Sequence, residues 1–306
     1  MASIERQLRE LVRSRTERRP RWPRPSGGNG HGPSTVSRGL EAANRPFERF
    51  VDLLRFSVRA VKAMPQSLRY RRVIALVVSD ITIGVGALVV GAGTFFVIFA
   101  MSFFTGTQVG LEGFQGLSQI GAQAFTGLVS SWANTREITP LVAGVALAAQ
   151  VGTSFTAELG AARISEEIDA LEVMAVPSLH YMVATRIWAA IITIIPLYLA
   201  ALFSSYLSTQ LIVTKFFTLS SGTYLHYFHL FLPPIDIFYS LAKAILFAIV
   251  VTLIHCYYGY NASGGPAGVG VASGRAIRAS IVTVVVLNLF LSLLFWGGHD
   301  TVQIAG

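Results

Sequence analysis

Long apolar segments separated by short polar ones dominate the chain from residue 81 onward. Five of these segments are long enough for a helix to cross the hydrocarbon core of a membrane, which takes roughly 20 residues. They lie at 81–104, 138–157, 187–214, 237–258 and 279–296. The pattern predicts an all-α polytopic membrane protein with five transmembrane helices.

A sixth stretch, 114–132, is uncharged but rich in Gly, Ser and Gln. Counting it as a span would move every later loop to the opposite side of the membrane. With five spans, the inner loops carry Arg163, Arg186, Arg275 and Arg278, whereas the outer loops carry Arg136 and Lys215. Because cytoplasmic loops hold the excess of Lys and Arg, we expect 114–132 to be re-entrant or to lie in the outer leaflet. The amino terminus is then cytoplasmic and the carboxyl terminus outside.

A shorter amphipathic pattern precedes the spans, over residues 46–64. Its apolar residues recur at helical spacing, at Phe47, Phe50, Leu54, Val58 and Val61, with charged residues between them. Pro46 suits a first helical turn, and Pro65 marks the end. The pattern predicts a basic amphipathic helix that lies in the membrane interface.

Composition and charge support this picture. With 53% hydrophobic and 13% charged residues, the chain is not a soluble globular protein. A single cysteine, Cys256, excludes a disulfide framework. Residues 1–72 hold 17 Lys/Arg and 6 Asp/Glu, so the net charge of +8 belongs to the amino-terminal end. We expect 1–45 to be a basic, partly disordered cytoplasmic tail that contacts anionic lipid rather than nucleic acid, and 46–306 to be the membrane domain.

An acidic cluster interrupts the apolar pattern between the second and third spans. Its residues are Glu166, Glu167, Asp169 and Glu172, and an apolar stripe of Ile164, Ile168, Leu171 and Ala175 runs beside them. Arg163 precedes Glu167 by four residues, a spacing that favours an ion pair. We therefore predict a short cytoplasmic helix at about 160–176 that docks a soluble partner. The alternative is a solvated connecting helix.

The same residues carry a family resemblance. GTSFTAELGAARISEEIDALEVMAVPSL at 152–179 and TRIWAA at 185–190 resemble the signature of the MlaE/YrbE permeases, the membrane subunits of Mla- and Mce-type lipid ABC transporters. REITPLVAG at 136–144 and the segment 236–270 are similar as well. The SEEIDALEVM form with GGPAGVG is most similar to the actinobacterial Mce branch, in which two related permeases pair. Ala149-Gln150 departs from the Gly-Arg of many relatives.

The resemblance implies a permease subunit of an ABC-type lipid transporter in the plasma or inner membrane. It would form a lipid cavity with a second YrbE-type permease, identical or related, below MCE-domain lipid-tunnel proteins on the outer side. The helix after the second span would couple to a cytoplasmic ABC ATPase dimer through Arg163, Ile164, Glu166, Glu167, Ile168, Asp169, Leu171 and Glu172. Two alternatives remain: a secondary transporter of hydrophobic substrates, and a structural anchor for an MCE assembly.

No motif indicates an enzyme. The glycine-rich segment 259–274 lacks the Lys-Ser/Thr of a P-loop and is expected to form a tight cytoplasmic turn. ATP and Mg²⁺ are therefore expected in the partner ATPase, with no cofactor in this chain. Thr156 replaces the second glycine of a G-x-S-x-G motif. His226 and His229 fit an interfacial aromatic belt better than a metal site.

One intramembrane charge stands out. Lys243 lies about two turns into the fourth span, where a charge is costly unless it is paired or reaches the headgroups. Asp236 precedes it by seven residues on the same helical face, and Glu137 opens the second span. Either Lys243 reaches the outer headgroups, or Lys243 and Glu137 line an outer-facing lipid cavity.

Overall fold

The computed structural model describes residues 35–82 and 93–297, with side chains for Glu48 and from Phe50 onward. The chain divides into two units, 1–49 and 50–306, and the helix bundle belongs to the second. Within the described residues every regular element is a helix. The helices are α1 (Thr35–Ser67), α2 (Arg71–Thr82), α3 (Thr94–Ser118), α4 (Gln123–Ile164), α5 (Glu167–Val173), α6 (Leu179–Phe216), α7 (Ser221–Leu230), α8 (Pro234–Tyr260) and α9 (Gly265–Trp296).

Five of these helices, α3, α4, α6, α8 and α9, are long and apolar enough to cross a membrane. The predicted class and number of spans are therefore confirmed. Successive spans run in opposite directions, so α5 and the turn between α8 and α9 share one end of the bundle, which we call the α5 end. There the Ser178 hydroxyl lies 2.9 Å from that of Tyr260.

The first span and the sixth apolar stretch were predicted incorrectly. The first span is α3 at Thr94–Ser118, rather than 81–104, part of which lies outside the described residues. The stretch 114–132 is no separate element, since it comprises the end of α3, a turn and the beginning of α4. That turn depends on Gly121, which has a φ of 71°. With 42 residues, α4 is about 63 Å long, twice the thickness of a hydrocarbon core.

The interface helix is longer than predicted. It begins at Thr35 and ends at Ser67, so Pro46 and Pro65 lie within it. Phe56, Ala60 and Ala63 face the bundle. The Trp188 indole of α6 donates a 3.0 Å hydrogen bond to the Met64 carbonyl. The tail predicted at 1–45 lies outside the described residues up to position 34, and its last residues are helical.

The glycine-rich segment is mostly helix rather than a loop. The turn between α8 and α9 is confined to residues 261–264, and α9 begins at Gly265. Gly264 and Gly265 have φ values of 89° and 72°, a conformation that residues with a side chain rarely adopt. Pro266 then suits the first turn of α9.

Helices α3 and α6 pack closely at Gly106. A Cβ atom there would lie 2.8 Å from the Cα atom of Ser205, and nearer still to the Ser205 carbonyl oxygen and the Ser208 hydroxyl. This approach lets the Thr209 hydroxyl donate a 2.7 Å hydrogen bond to the Gly106 carbonyl. Small residues that bring backbones together are a general device of membrane helix packing.

We predict that Gly106→Ala destabilises the protein by about 1–3 kcal/mol, because the added methyl group meets backbone atoms that cannot move aside. Gly116→Ala is the matched control on the same helix, since a Cβ atom there has nothing within 4 Å. Thermal unfolding of the purified protein in detergent measures both. Equal melting temperatures for the two variants would contradict the packing.

Candidate functional site

A π-helical turn at Asn134–Ile138 in α4 directs four consecutive side chains towards three other helices. The Asn134 amide donates to the Thr209 hydroxyl at 3.0 Å, and the Thr135 hydroxyl lies 2.5 Å from that of Tyr206, both on α6. Arg136 and Glu137 turn towards α8 and α9. The wider turn makes this spread possible, and such turns occur frequently at functional sites.

Arg136 forms a buried ion pair with Asp236 at the beginning of α8. Its Nε donates to the Asp236 carboxylate at 2.8 Å, and its NH2 lies 2.7 Å from the same oxygen. The second carboxylate oxygen accepts a 2.8 Å hydrogen bond from the Trp296 indole of α9. The Trp296 ring also lies 5.2 Å below the Arg136 guanidinium, a cation–π contact.

Lys243 is fully buried one layer deeper. Its ammonium donates to the Arg136 carbonyl at 2.6 Å and to the Ser292 hydroxyl at 2.8 Å, and lies 3.7 Å from the Glu137 carboxylate. Glu137 accepts further hydrogen bonds from Ser292 at 2.5 Å and from Asn288 at 2.7 Å. These partners enclose the Lys243 side chain, whereas Glu137 keeps 34% of its side chain exposed. A role of the two residues in a lipid cavity stays a prediction.

We call these residues the charge junction: Arg136, Glu137, Asp236, Lys243, Asn288, Ser292 and Trp296. It contains two cations and two anions, so its formal charge is zero. An isolated charge in this setting would be very costly, but paired and hydrogen-bonded charges are tolerated. The junction therefore fixes the relative positions of α4, α8 and α9.

The opposite end of α4 leads into the short helix α5. Two residues in the left-handed conformation bracket α5: Glu166, with a φ of 60°, and Ala175, with a φ of 58°. Ile168 is fully buried and anchors the helix. Glu172 accepts a 2.8 Å hydrogen bond from Ser178, and the Arg163 guanidinium lies 2.7 Å from the Asp169 carboxylate.

The exposed face of α5 differs from the predicted stripe. Ile168 points inward and Leu171 is half-buried, so neither forms the outer face. Ile164 and Ala175 of that stripe are exposed, and Val173 and Met174 are exposed beside them, Val173 by 88%. The helix is interrupted after Ile164, and this break also gives Arg163 a different ion-pair partner from the predicted Glu167. All four acids of the cluster are exposed.

Comparison with known proteins assigns the family. Residues 84–294 match the family model described as Permease MlaE. A "Probable ABC transporter permease protein" of Rickettsia bellii is 30% identical over 242 residues, which cover 79% of this chain and 91% of that protein. The chain belongs to the MlaE permease family. The "Intermembrane phospholipid transport system permease protein MlaE" of Haemophilus influenzae is 26% identical over 68% of this chain and 80% of its own.

Among MlaE permeases, the narrower resemblance to the actinobacterial Mce branch stays a prediction, as do the roles of individual residues. Sequence reasoning singled out Glu137 and Lys243, which the structure brings together, but it treated Arg136 only as a loop charge. Asn288, Ser292 and Trp296 were missed. The sequence does contain a signal for this site. The cation Arg136 and the anion Glu137 at one span could pair with the anion Asp236 and the cation Lys243 of another span.

We predict that Asp236→Asn destabilises this MlaE permease by about 3–5 kcal/mol, because it removes the negative charge of a buried ion pair. The replacement keeps the shape of the side chain and an oxygen for the Trp296 indole. Glu112→Gln is the matched control, since Glu112 is exposed and its carboxylate accepts a hydrogen bond from Gln108 of the same helix. Denaturation in detergent measures both, and equal stability would show that the ion pair is dispensable.

Proposed function

We propose that this chain is the permease subunit of an ABC-type lipid transporter of the plasma or inner membrane, driven by a cytoplasmic ABC ATPase dimer. Membership in the MlaE family carries the proposal, because relatives are named as ABC transporter permeases and one as part of an intermembrane phospholipid transport system. A transporter subunit needs no catalytic residues of its own, and ATP hydrolysis with Mg²⁺ would take place in the partner.

The α5 segment is the proposed docking element for the ATPase. It offers exposed apolar side chains, Val173 and Met174, surrounded by exposed acids. Such a surface fits a partner groove with an apolar floor and a basic rim, since complementary charges steer and orient association. Because the Ile168 side chain of α5 is buried in the bundle, a force applied to the outer face of α5 would act on the bundle through that residue.

A mechanical connection supports coupling between the two ends of the bundle. Arg163 and Arg136 lie on the same helix α4, 27 positions and therefore about 40 Å apart. At the α5 end, the Arg186 guanidinium of α6 is 2.8 Å from the Glu158 carboxylate of α4. Movement of α5 would thus be transmitted along α4 to the charge junction, where Glu137 offers an exposed carboxylate edge beside a lipid cavity formed with a second permease. MCE-domain proteins would receive or deliver lipid on that side.

Two other functions lead to different results. A secondary transporter would move lipid without an ATPase, and a structural anchor would assemble with MCE-domain proteins without moving lipid. Co-purification of the full-length chain with its ATPase, followed by lipid transfer between vesicles with and without ATP, separates the three. ATP-independent transfer would support the secondary transporter, and assembly without transfer would support the anchor.

We predict that the reversals Glu166→Lys and Glu167→Lys together abolish co-purification of the ATPase without unfolding the permease, because both acids are exposed and neither forms an ion pair with another described residue. Asp80→Lys with Glu112→Lys is the matched control, with two exposed reversals elsewhere. Retention of the ATPase by the α5 variant, or its loss from both variants, would contradict docking at α5.

A second variant tests the apolar part of the same surface. We predict that Val173→Asn with Met174→Asn weakens ATPase association at least tenfold while the melting temperature stays unchanged, because both side chains are already exposed, Met174 by 65%. Ile168→Ala is the contrasting variant. It removes a buried anchor and should lower the melting temperature itself.

A further inference from the structure

A groove of about 790 Å³ opens at the α5 end, between α1 and the end of α8. Leu54, Arg55, Val58 and Arg59 of α1 form one wall, and Tyr257 and Tyr260 of α8 form the other. Asp236, in the charge junction, lies 21 positions before Tyr257 on α8 and is thus about 32 Å away along the helix axis. The groove therefore has no part in the charge junction.

The positive charge of the groove comes from two arginines one helical turn apart. Residues at this spacing lie side by side on a helix, and like charges there repel unless an anion lies between them. Both arginines are exposed, and neither forms an ion pair or a hydrogen bond within the part of the chain that the structure describes. Two guanidinium groups so placed can bind one phosphate group from both sides.

The apolar residues beside the arginines indicate what carries that phosphate. Phe50, Leu54, Val58 and Val61 form an exposed stripe on α1, with Leu54 48% and Val58 52% exposed. The bundle-facing residues, Phe56, Ala60 and Ala63, occupy another side of the helix. A helix with adjacent apolar and basic exposed faces lies at the boundary between acyl chains and headgroups. The arginines are then at the depth of the lipid phosphates.

We propose that this groove binds the headgroup of an anionic phospholipid, with the phosphate between Arg55 and Arg59 and an acyl chain along Leu54 and Val58. Asp52 also lines the groove and limits its net charge to one positive unit. The opposite wall is fixed to the α5 region, because the Tyr260 hydroxyl lies 2.9 Å from the Ser178 hydroxyl and 3.4 Å from the Glu172 carboxylate. The bound lipid would therefore contact the residues that hold α5 in place.

The test measures binding of phosphatidylglycerol with a fluorescent acyl chain to the full-length chain in mixed micelles of a nonionic detergent. It requires neither ATP nor transport, so its outcome is independent of the proposed function. We expect Arg55→Gln with Arg59→Gln to weaken binding by roughly tenfold, the loss of two charge-assisted contacts. Lys62→Gln with Arg69→Gln is the matched control, because it removes two exposed charges that do not line the groove and should weaken binding by less than about threefold.

Two further measurements complete the test. Asp52→Asn should tighten binding by about two- to threefold, because Asp52 is the only acid among the described residues that line the groove. Phosphatidylcholine with the same label, which carries no net charge, should bind at least about tenfold more weakly than phosphatidylglycerol. Equal losses in the two double variants would show diffuse attraction to the whole basic helix and overturn the site. Displacement of the labelled lipid by millimolar inorganic phosphate would assign the groove to a soluble anion instead.

Discussion

Charge neutralisation inside the bundle is the constraint on which the rest of this structure depends. Arg136, Glu137, Asp236 and Lys243 lie among helices that expose mainly apolar surface, where a buried charge is costly without a partner. Each carboxylate satisfies one cation while the Trp296, Asn288 and Ser292 side chains of α9 complete the hydrogen bonding. Three helices from distant parts of the chain are thereby held at one distance and one register.

The helix α4 relates this junction to the rest of the molecule. One continuous helix carries the junction near its beginning and leads directly into α5 at its end. Close packing of α3 on α6 and of α8 on both α4 and α9 leaves few ways for α4 to move independently. Displacement of α5 is therefore more readily transmitted along the helix than absorbed by it, because packed interiors deform little.

The sequence is sufficient to predict the class of fold but not the limits of its helices. Hydropathy identifies five spans because a membrane requires about 20 apolar residues in each. It misplaces the first span because 81–118 is apolar almost throughout, so composition does not reveal where a helix begins. It also cannot identify the turn at Gly121, since helices and turns in this region both use Gly, Ser and Gln. Residues 83–92 lie outside the described part of the chain.

The predicted sites depend on helical periodicity, which explains where they succeed and fail. Lys243 and Glu137 could be singled out because a charge within a span is rare. Their true neighbours on α9 are uncharged and therefore resemble any other helix residue. The predicted apolar stripe through Ile164 and Ile168 required an unbroken helix. The left-handed residue Glu166 interrupts it and turns Val173 and Met174 outward instead.

The π-helical turns of α4 determine the directions in which its later side chains point. Each such turn accommodates one residue more than an α-helix would, and one residue corresponds to a rotation of about 100° around the helix axis. The turns at Asn134–Ile138 and Ala148–Gly152 thus each rotate the side chains that follow them around the helix axis. If either one reverted to α-helical geometry, every side chain beyond it would be directed towards a different neighbour, although the helix axis need not move. In α4, the directions in which the side chains point can therefore change while the direction of the helix axis stays the same.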